Sequence, residues 1–259
     1  MSRKLRVALL AAATALAFAD SSIVVLGPLL ARCGRARVSM PGGDDFGKRP
    51  IDMHLKGLEA LGATFELRKG YIEARTEGLR GADITLDFPS VGATENIVMA
   101  AIVAKGTTVL DNAAREPEIA DLCHFLNDMG ADIEGVGSPT LTIHGVSSAD
   151  LSAADHRVVA DRVQAATYMA AVAACQGEIV VKGAQLEHMD MFIRRLREMG
   201  VQFTDQTDGI LVYADGRRLR SLDVQTLPYP GFATDYKPLV VTLLTVADGV
   251  GIVTENLYP

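Results

Sequence analysis

Apolar positions recur along this chain in two alternating helical rhythms. In "LKGLEALGATFEL", "CHFLNDMGADIEG" and "IRRLREMGVQFTD" they fall at i, i+3 and i+4 until a glycine (Gly62, Gly130, Gly200) ends the run. That spacing predicts an amphipathic helix with one buried face, followed by a strand. In "IVMAAIVAKGTTVLDNA", "TYMAAVAACQGEIVVKGA" and "VVTLLTVADGVGIVTEN" nearly every position is apolar up to Gly106, Gly177 and Gly249, and β-branched residues follow. A helix that is apolar all round has to be central, with sheets packed around it. Successive glycines lie 68 and 70 residues apart in the first set and 71 and 72 in the second. Each unit of about 70 residues is therefore predicted to run buried helix, strand, amphipathic helix, strand hairpin, a small α/β fold in itself. Passages such as "VGSPT" and "DQTDG" carry the turn residues of hairpin ends. The Ser/Ala/Asp-rich passage from Gly145 to Arg162 reads as a linker, which sets a boundary between domains 23–158 and 159–259.

Composition narrows the picture. The chain has 259 residues, room for one large domain or two smaller ones, and a net charge of −7, which gives no general attraction for nucleic acid. The basic cluster Arg32, Arg35 and Arg37 reads as solvated charge. Cys33, Cys123 and Cys175 are odd in number and far apart, neither a disulfide framework nor a zinc site, which suits a reducing cytosol. The histidines show no H-E-x-x-H spacing, so no metal is assigned. Residues 1–22 stand apart: Arg3, Lys4 and Arg6 precede an apolar run ending in Ala17-Phe18-Ala19. That pattern fits a secretory signal or an Ala-rich buried helix, and the run is too short to span a membrane.

"SMPGGDDFGKRPIDMH", Ser39 to His54, approaches a phosphate-binding loop without becoming one. Gly42, Gly47 and Lys48 have P-loop spacing, but Arg49 stands where a Ser or Thr would reach magnesium. Asp44 and Asp45 would repel a bound phosphate.

Three longer stretches explain that loop. "VVLGPLLARCGRARVSMPGGDDFGKRPIDMHLKGLEALGA", "FPSVGATENIVMAAIVAKGTTVLDNAAREPEI" and "PYPGFATDYKPL" closely resemble the UDP-N-acetylglucosamine enolpyruvyl transferase family, over about Ile23 to Asn256. The resemblance implies an α/β fold of repeated units in two inside-out, barrel-like domains, with the substrate site in the cleft between them. It implies transfer of the enolpyruvyl group of phosphoenolpyruvate to the 3-hydroxyl of UDP-N-acetylglucosamine with release of phosphate, early in peptidoglycan synthesis. The loop 39–54 is then a mobile lid. Arg49 matches the arginine that holds the phosphoenolpyruvate anion, and Pro50, Ile51, Asp52 and Met53 match the run bordering the uridine nucleotide. Asp44 stands where most members carry a reactive cysteine. An acid there can still donate a proton but is a weak nucleophile, so fosfomycin resistance is expected. Asp235 in "FATDYKP" matches the base beside the sugar hydroxyl, and equally reads as a helix N-cap. Ser90, Val91 and Gly92 resemble contacts to the diphosphate, ahead of an apolar helix expected from Asn96. Asp161 and Arg162 match a pair near the nucleotide, and Arg115 and Glu116 read as a structural ion pair at a helix start. The implied partners are the two substrates, with no cofactor, nucleic acid or membrane. The implied setting is the cytoplasm, in cell wall biogenesis, cell shape and cell division.

The chain departs from the family at both ends. It has no counterpart of an early Lys-Asn pair, reads Ala19-Asp20-Ser21-Ser22 where members have Met-Arg-Ala-Ser, and stops before a segment carrying further arginines. A chain truncated at both ends, with surfaces left open for association, is expected from this. The alternatives are a non-catalytic remnant that binds the sugar nucleotide, a transferase acting on shikimate 3-phosphate, and a secreted module.

Overall fold

A computed structural model describes residues 20–40 and 51–258, the side chains of 20–22 excepted. The N-terminal apolar run and the centre of the loop, with Asp44, Asp45, Lys48, Arg49 and Pro50, lie outside the described residues. The chain divides into two compact units, Met1–Arg157 and Val158–Pro259.

The first unit holds two copies of one motif. A 3-10 turn at Asp20–Val25 leads into α1 (Leu26–Cys33), β1 (Arg35–Ser39), α2 (Asp52–Ala60), β2 (Thr64–Arg68) and β3 (Tyr71–Arg75). The second copy runs β4 (Asp83–Thr85), α3 (Val91–Ala101), β5 (Thr107–Asp111), α4 (Pro117–Asp128), β6 (Asp132–Glu134) and β7 (Thr140–His144). The second unit repeats the scheme with α5 (Arg162–Cys175), β8 (Gly177–Lys182), α6 (Asp190–Met199), β9 (Gln202–Gln206) and β10 (Gly209–Ala214). It continues with β11 (Val224–Gln225), a 3-10 turn at Thr234–Tyr236, α7 (Lys237–Leu244) and β12 (Val253–Thr254).

The sheets show the same repetition. Their orders are β1-β3-β2, β4-β5-β7-β6, β8-β10-β9 and β11-β12. In the first three, the second strand of the hairpin lies antiparallel between its own partner and the strand that follows the buried helix. β4 and β5 pair in parallel across α3, and β11 and β12 do so across α7, so the second unit begins its next copy as the first unit does. The six glycines that marked the repeat all adopt φ between +97 and +125. At Gly200 this left-handed turn lets the amides of Gly200 and Val201 both return to the Leu196 carbonyl, closing α6.

α3 is the centre of the first core. Its Ala93, Ile97, Val98, Ala100 and Ala101 are fully enclosed, against Leu26 and Leu30 of α1, Leu58 of α2 and Ile72, Leu110, Leu141 and Ile143 of the sheets. Burying each of the larger side chains contributes about 1.5–3 kcal/mol. Small residues let the helices approach closely. A Cβ on Gly27 would lie 2.2 Å from the Asn96 carbonyl oxygen, and one on Gly57 would lie 2.3 Å from Ile97 Cδ1. The second core gathers Ala166, Met169 and Ala173 of α5, Phe192 and Leu196 of α6, Ile210 and Val212 of β10, and Val240 and Leu243 of α7. The apolar helices there are not enclosed on every side as their composition suggested. Tyr168 of α5 is 62% exposed and Val241 of α7 is 45% exposed, because each helix meets its sheet and its neighbour on one face only.

Gly27→Ala is expected to cost about 3 kcal/mol, since the obstructing atom is backbone and cannot yield. Gly70→Ala, with φ +79 and open space at its Cβ, should cost only about 1–2 kcal/mol. Denaturant titration of the two variants reads the difference.

Candidate functional site

The predicted residues that are described fall into two groups, one in each unit. In the first, Asn96 brings three helices to one point. Its Oδ1 accepts from the Gly27 amide at 2.6 Å, and its Nδ2 donates to the Ile23 carbonyl at 2.8 Å and to His54 Nδ1 at 2.9 Å. Because the amide nitrogen donates, His54 accepts at Nδ1 and carries its proton on Nε2. Burial pushes its pKa down to about 4, with Asp52 opposing. The imidazole lies under the first turn of α3: a Cβ on Gly92 would stand 3.0 Å from His54 Cε1. Ile51, Asp52 and Met53 at the start of α2 are thereby drawn beside Ser90, Val91 and Gly92 at the start of α3.

That start is earlier than the pattern implied. α3 begins at Val91, not Asn96, with Ser90 as N-cap: its Oγ accepts from the Ala93 amide at 3.3 Å and its carbonyl accepts from Thr94 Oγ1 at 2.8 Å. The polar residues Thr94, Glu95 and Asn96 masked the helical period, yet Thr94 and Asn96 are wholly buried. The amides of Val91 and Gly92 belong to a first helical turn, where N–H groups have no intrahelical acceptor and favour anions. Asp52 is exposed and pairs with Lys56 at 3.4 Å, which also reaches Asp87 at 3.2 Å. Met53 and Lys56 line a groove of about 200 Å³ with Ile84, Leu86 and Asp87. Glu95 is pushed up to about 7 by burial, with the charges of Glu118 and Glu116 adding to it. Glu116 holds the N-cap position of α4 without a side-chain cap, ahead of Pro117.

In the second unit Asp161 caps α5, accepting from the amides of Val163 at 2.8 Å and Gln164 at 3.1 Å. Arg162, next in line, turns inward and is only 6% exposed. Its guanidinium donates to Tyr236 Oη at 3.3 Å, lies 5.7 Å from that ring and 6.0 Å from the Tyr229 ring, and comes within 3.9 Å of Asp235 Oδ2. Asp235 itself is 52% exposed. The N-cap reading of Thr234 and Asp235 is not what the structure shows. The pair forms a 3-10 turn, α7 starts after Tyr236 with no side-chain cap, and Thr234 Oγ1 donates instead to Glu255 Oε2 at 2.8 Å. Tyr236 packs on Phe192 at 4.7 Å between centroids, which fixes the turn from below. The result is a carboxylate with one side open to solvent and the other facing a buried cation, an arrangement able to accept a proton from a hydroxyl placed against it.

Sequence reasoning passed over His54, Asn96, Tyr236 and Glu255. A polar Asn inside an apolar helix was a signal for the first two; Glu255 gave none, because its side-chain partners lie 18–29 residues away. Among the described residues, no group of three or more His, Cys, Asp or Glu is placed to hold a metal ion, and no helix is long and apolar enough to cross a membrane.

The family model described as EPSP synthase (3-phosphoshikimate 1-carboxyvinyltransferase) matches residues 5–258. The UDP-N-acetylglucosamine 1-carboxyvinyltransferase 1 of Symbiobacterium thermophilum is 54% identical over 240 residues, covering 92% of this chain and 54% of that protein. The UDP-N-acetylglucosamine 1-carboxyvinyltransferase of Granulibacter bethesdensis is 52% identical over 241 residues, covering 92% and 56%. The chain thus spans about half the length of the curated relatives it matches. Among solved structures, the enolpyruvyl transferase NikO from Streptomyces tendae superimposes with a TM-score of 0.77 at 22% identity, covering 94% of this chain and 58% of that one. That likeness shows the fold, which is the enolpyruvyl transferase fold.

Buried His54 and partly buried Glu95 give the first unit opposed pH dependences. His54 binds its proton at about 4 when folded and 6.5 when unfolded, so it costs stability as pH falls through that window. Glu95 titrates at about 7 folded and 4.5 unfolded, so it costs stability as pH rises from 4.5 to 7. Each slope is about 1.4 kcal/mol per pH unit, and they offset where they overlap. Denaturation of Glu95→Gln is expected to show stability rising between pH 4 and 6.5, and that of His54→Asn to show it falling between 4.5 and 7.

Proposed function

Because the chain belongs to the EPSP synthase (3-phosphoshikimate 1-carboxyvinyltransferase) family, we propose that it contributes the site of an enolpyruvyl transfer from phosphoenolpyruvate to the 3-hydroxyl of UDP-N-acetylglucosamine. The observation that carries this reading is Asp235, half-open to solvent beside the buried Arg162, on a turn fixed by aromatic packing. The names of relatives 52–54% identical to it support the acceptor as UDP-N-acetylglucosamine over shikimate 3-phosphate.

In the proposed reaction Asp235 takes the proton of the 3-hydroxyl as its oxygen bonds to C2 of phosphoenolpyruvate and a proton reaches C3. Loss of a C3 proton and of phosphate restores the double bond. Asp44 is the proposed proton donor to C3 and Arg49 the proposed cation for the phosphoenolpyruvate anion, a bidentate task suited to a guanidinium. The first turn of α3, with Ser90, Val91 and Gly92, is assigned to the diphosphate. Ile51, Asp52 and Met53 are assigned to the uridine side, with Pro50 beside them. Asp161 fixes the start of α5, so that Arg162 faces Asp235. The setting is the cytoplasm, at the first committed step of peptidoglycan synthesis, and hence cell wall biogenesis, cell shape and division. A second reading is nucleotide binding without turnover.

Phosphate release from phosphoenolpyruvate by the purified chain is expected to require UDP-N-acetylglucosamine and not to occur with shikimate 3-phosphate. Asp235→Ala should lower it by about 10²–10⁴-fold. Nucleotide binding with no release would replace the enzyme reading by the second. Fosfomycin should leave the mass of the native chain unchanged, whereas Asp44→Cys should gain one covalent adduct; an adduct on the native chain would refute the resistance assigned to Asp44.

A further inference from the structure

Asp235 sits on a short turn, and the groups on both flanks of it run to one carboxylate. Glu255 Oε2 accepts from Thr234 Oγ1 at 2.8 Å and from Lys237 Nζ at 2.6 Å. Its Oε1 accepts from Thr226 Oγ1 at 2.6 Å and from the amides of Leu257 at 2.8 Å and Tyr258 at 3.2 Å. Thr226 directly follows β11, is completely buried, and receives the Asn256 amide on its own hydroxyl at 2.8 Å. Glu255 therefore ties the turn between Thr234 and Lys237 to the β11-β12 sheet.

Both ends of that carboxyl face an obligate donor, the ammonium of Lys237 on one oxygen and the Leu257 N–H on the other. A glutamine would have to turn its NH₂ towards one of them, so only two acceptor oxygens fit. The side chain is 14% exposed. Burial works against its ionisation, but Lys237, Thr226, the Leu257 amide and Thr234 outweigh it and hold the carboxyl well below the usual range.

We infer that Glu255 is a positioning residue for Asp235: by gripping Thr234 and Lys237 on either side, it fixes where the Asp235 carboxylate points. This inference deepens the function proposed above and rests on it only for its kinetic consequence. A carboxylate that must meet a hydroxyl at hydrogen-bond distance tolerates little wandering, and displacement of about 1 Å can cost roughly 10²-fold in rate. Substrate binding by groups elsewhere is not expected to follow.

The test compares the native chain with Glu255→Gln and Thr234→Val by hydrogen exchange and kinetics. Both variants are expected to speed exchange at least about tenfold in the segment 233–237 while α5 and α6 keep their protection, an outcome that does not depend on turnover. In sugar-dependent phosphate release, kcat should fall by about 10–10²-fold, with KM for UDP-N-acetylglucosamine within about twofold of native. If Glu255→Gln loosens the whole unit, Thr234→Val, which removes a single bond, decides. Unchanged exchange at 233–237 in both variants, or a rise in KM with kcat kept, would overturn the inference. A native chain that releases no phosphate would count against the proposed reaction, while the exchange data would still decide the role of Glu255.

Discussion

One buried amide organises the first unit. Asn96 lies at the centre of an apolar helix, where an unsatisfied polar group costs about 1–3 kcal/mol, and each of its bonds reaches a different element. Through Gly27 and Ile23 it fixes α1, whose approach is so close that no side chain fits between the helices. Through His54 it fixes α2 and the tautomer of the imidazole. The starts of α2 and α3 are side by side as a consequence. The network is fully used, so replacing Asn96 by an apolar residue would strand the Gly27 amide and the Ile23 carbonyl together.

The second unit reaches a comparable end by charge and aromatic packing. A buried guanidinium is costly unless its donors are occupied and its faces covered. Arg162 meets this with Tyr236, Tyr229 and the nearby Asp235, while Asp161 holds the helix start just ahead of it. The exposure of Asp235 against the burial of its partner makes the pair asymmetric: one group is fixed, and the other is available. A group that acts on a substrate needs that combination of orientation and access.

Much of the fold was legible because the signal repeats. Three amphipathic helices closed by Gly62, Gly130 and Gly200, and three apolar ones leading to Gly106, Gly177 and Gly249, gave the order of elements and its period. The left-handed φ at those glycines is a local requirement, so it is written locally. What escaped was tertiary. The early start of α3 was hidden because Thr94 and Asn96 bond inward to other elements instead of facing water. The turn at Asp235 looked like a cap because Thr-Asp before an apolar helix usually is one, yet Thr234 is claimed by Glu255, just past β12 and 20 residues downstream of Asp235. α5 and α7 read as enclosed because composition records how apolar a helix is and not how many neighbours it has. The motif residues could be named one by one from the sequence, whereas the grouping of the described ones around His54 and Arg162 required the fold.

The proposed function makes each of the two groups, the one around Asn96 and the one around Arg162, a contributor to binding of UDP-N-acetylglucosamine. Hydrogen exchange of the purified chain with and without saturating UDP-N-acetylglucosamine tests it most directly. The account predicts slower exchange at 51–54 and 90–93 in the first unit and at 161–163 in the second, with the outer hairpins β2-β3 and β9-β10 unchanged. Protection confined to other segments, or none at a concentration where binding is established independently, would contradict it.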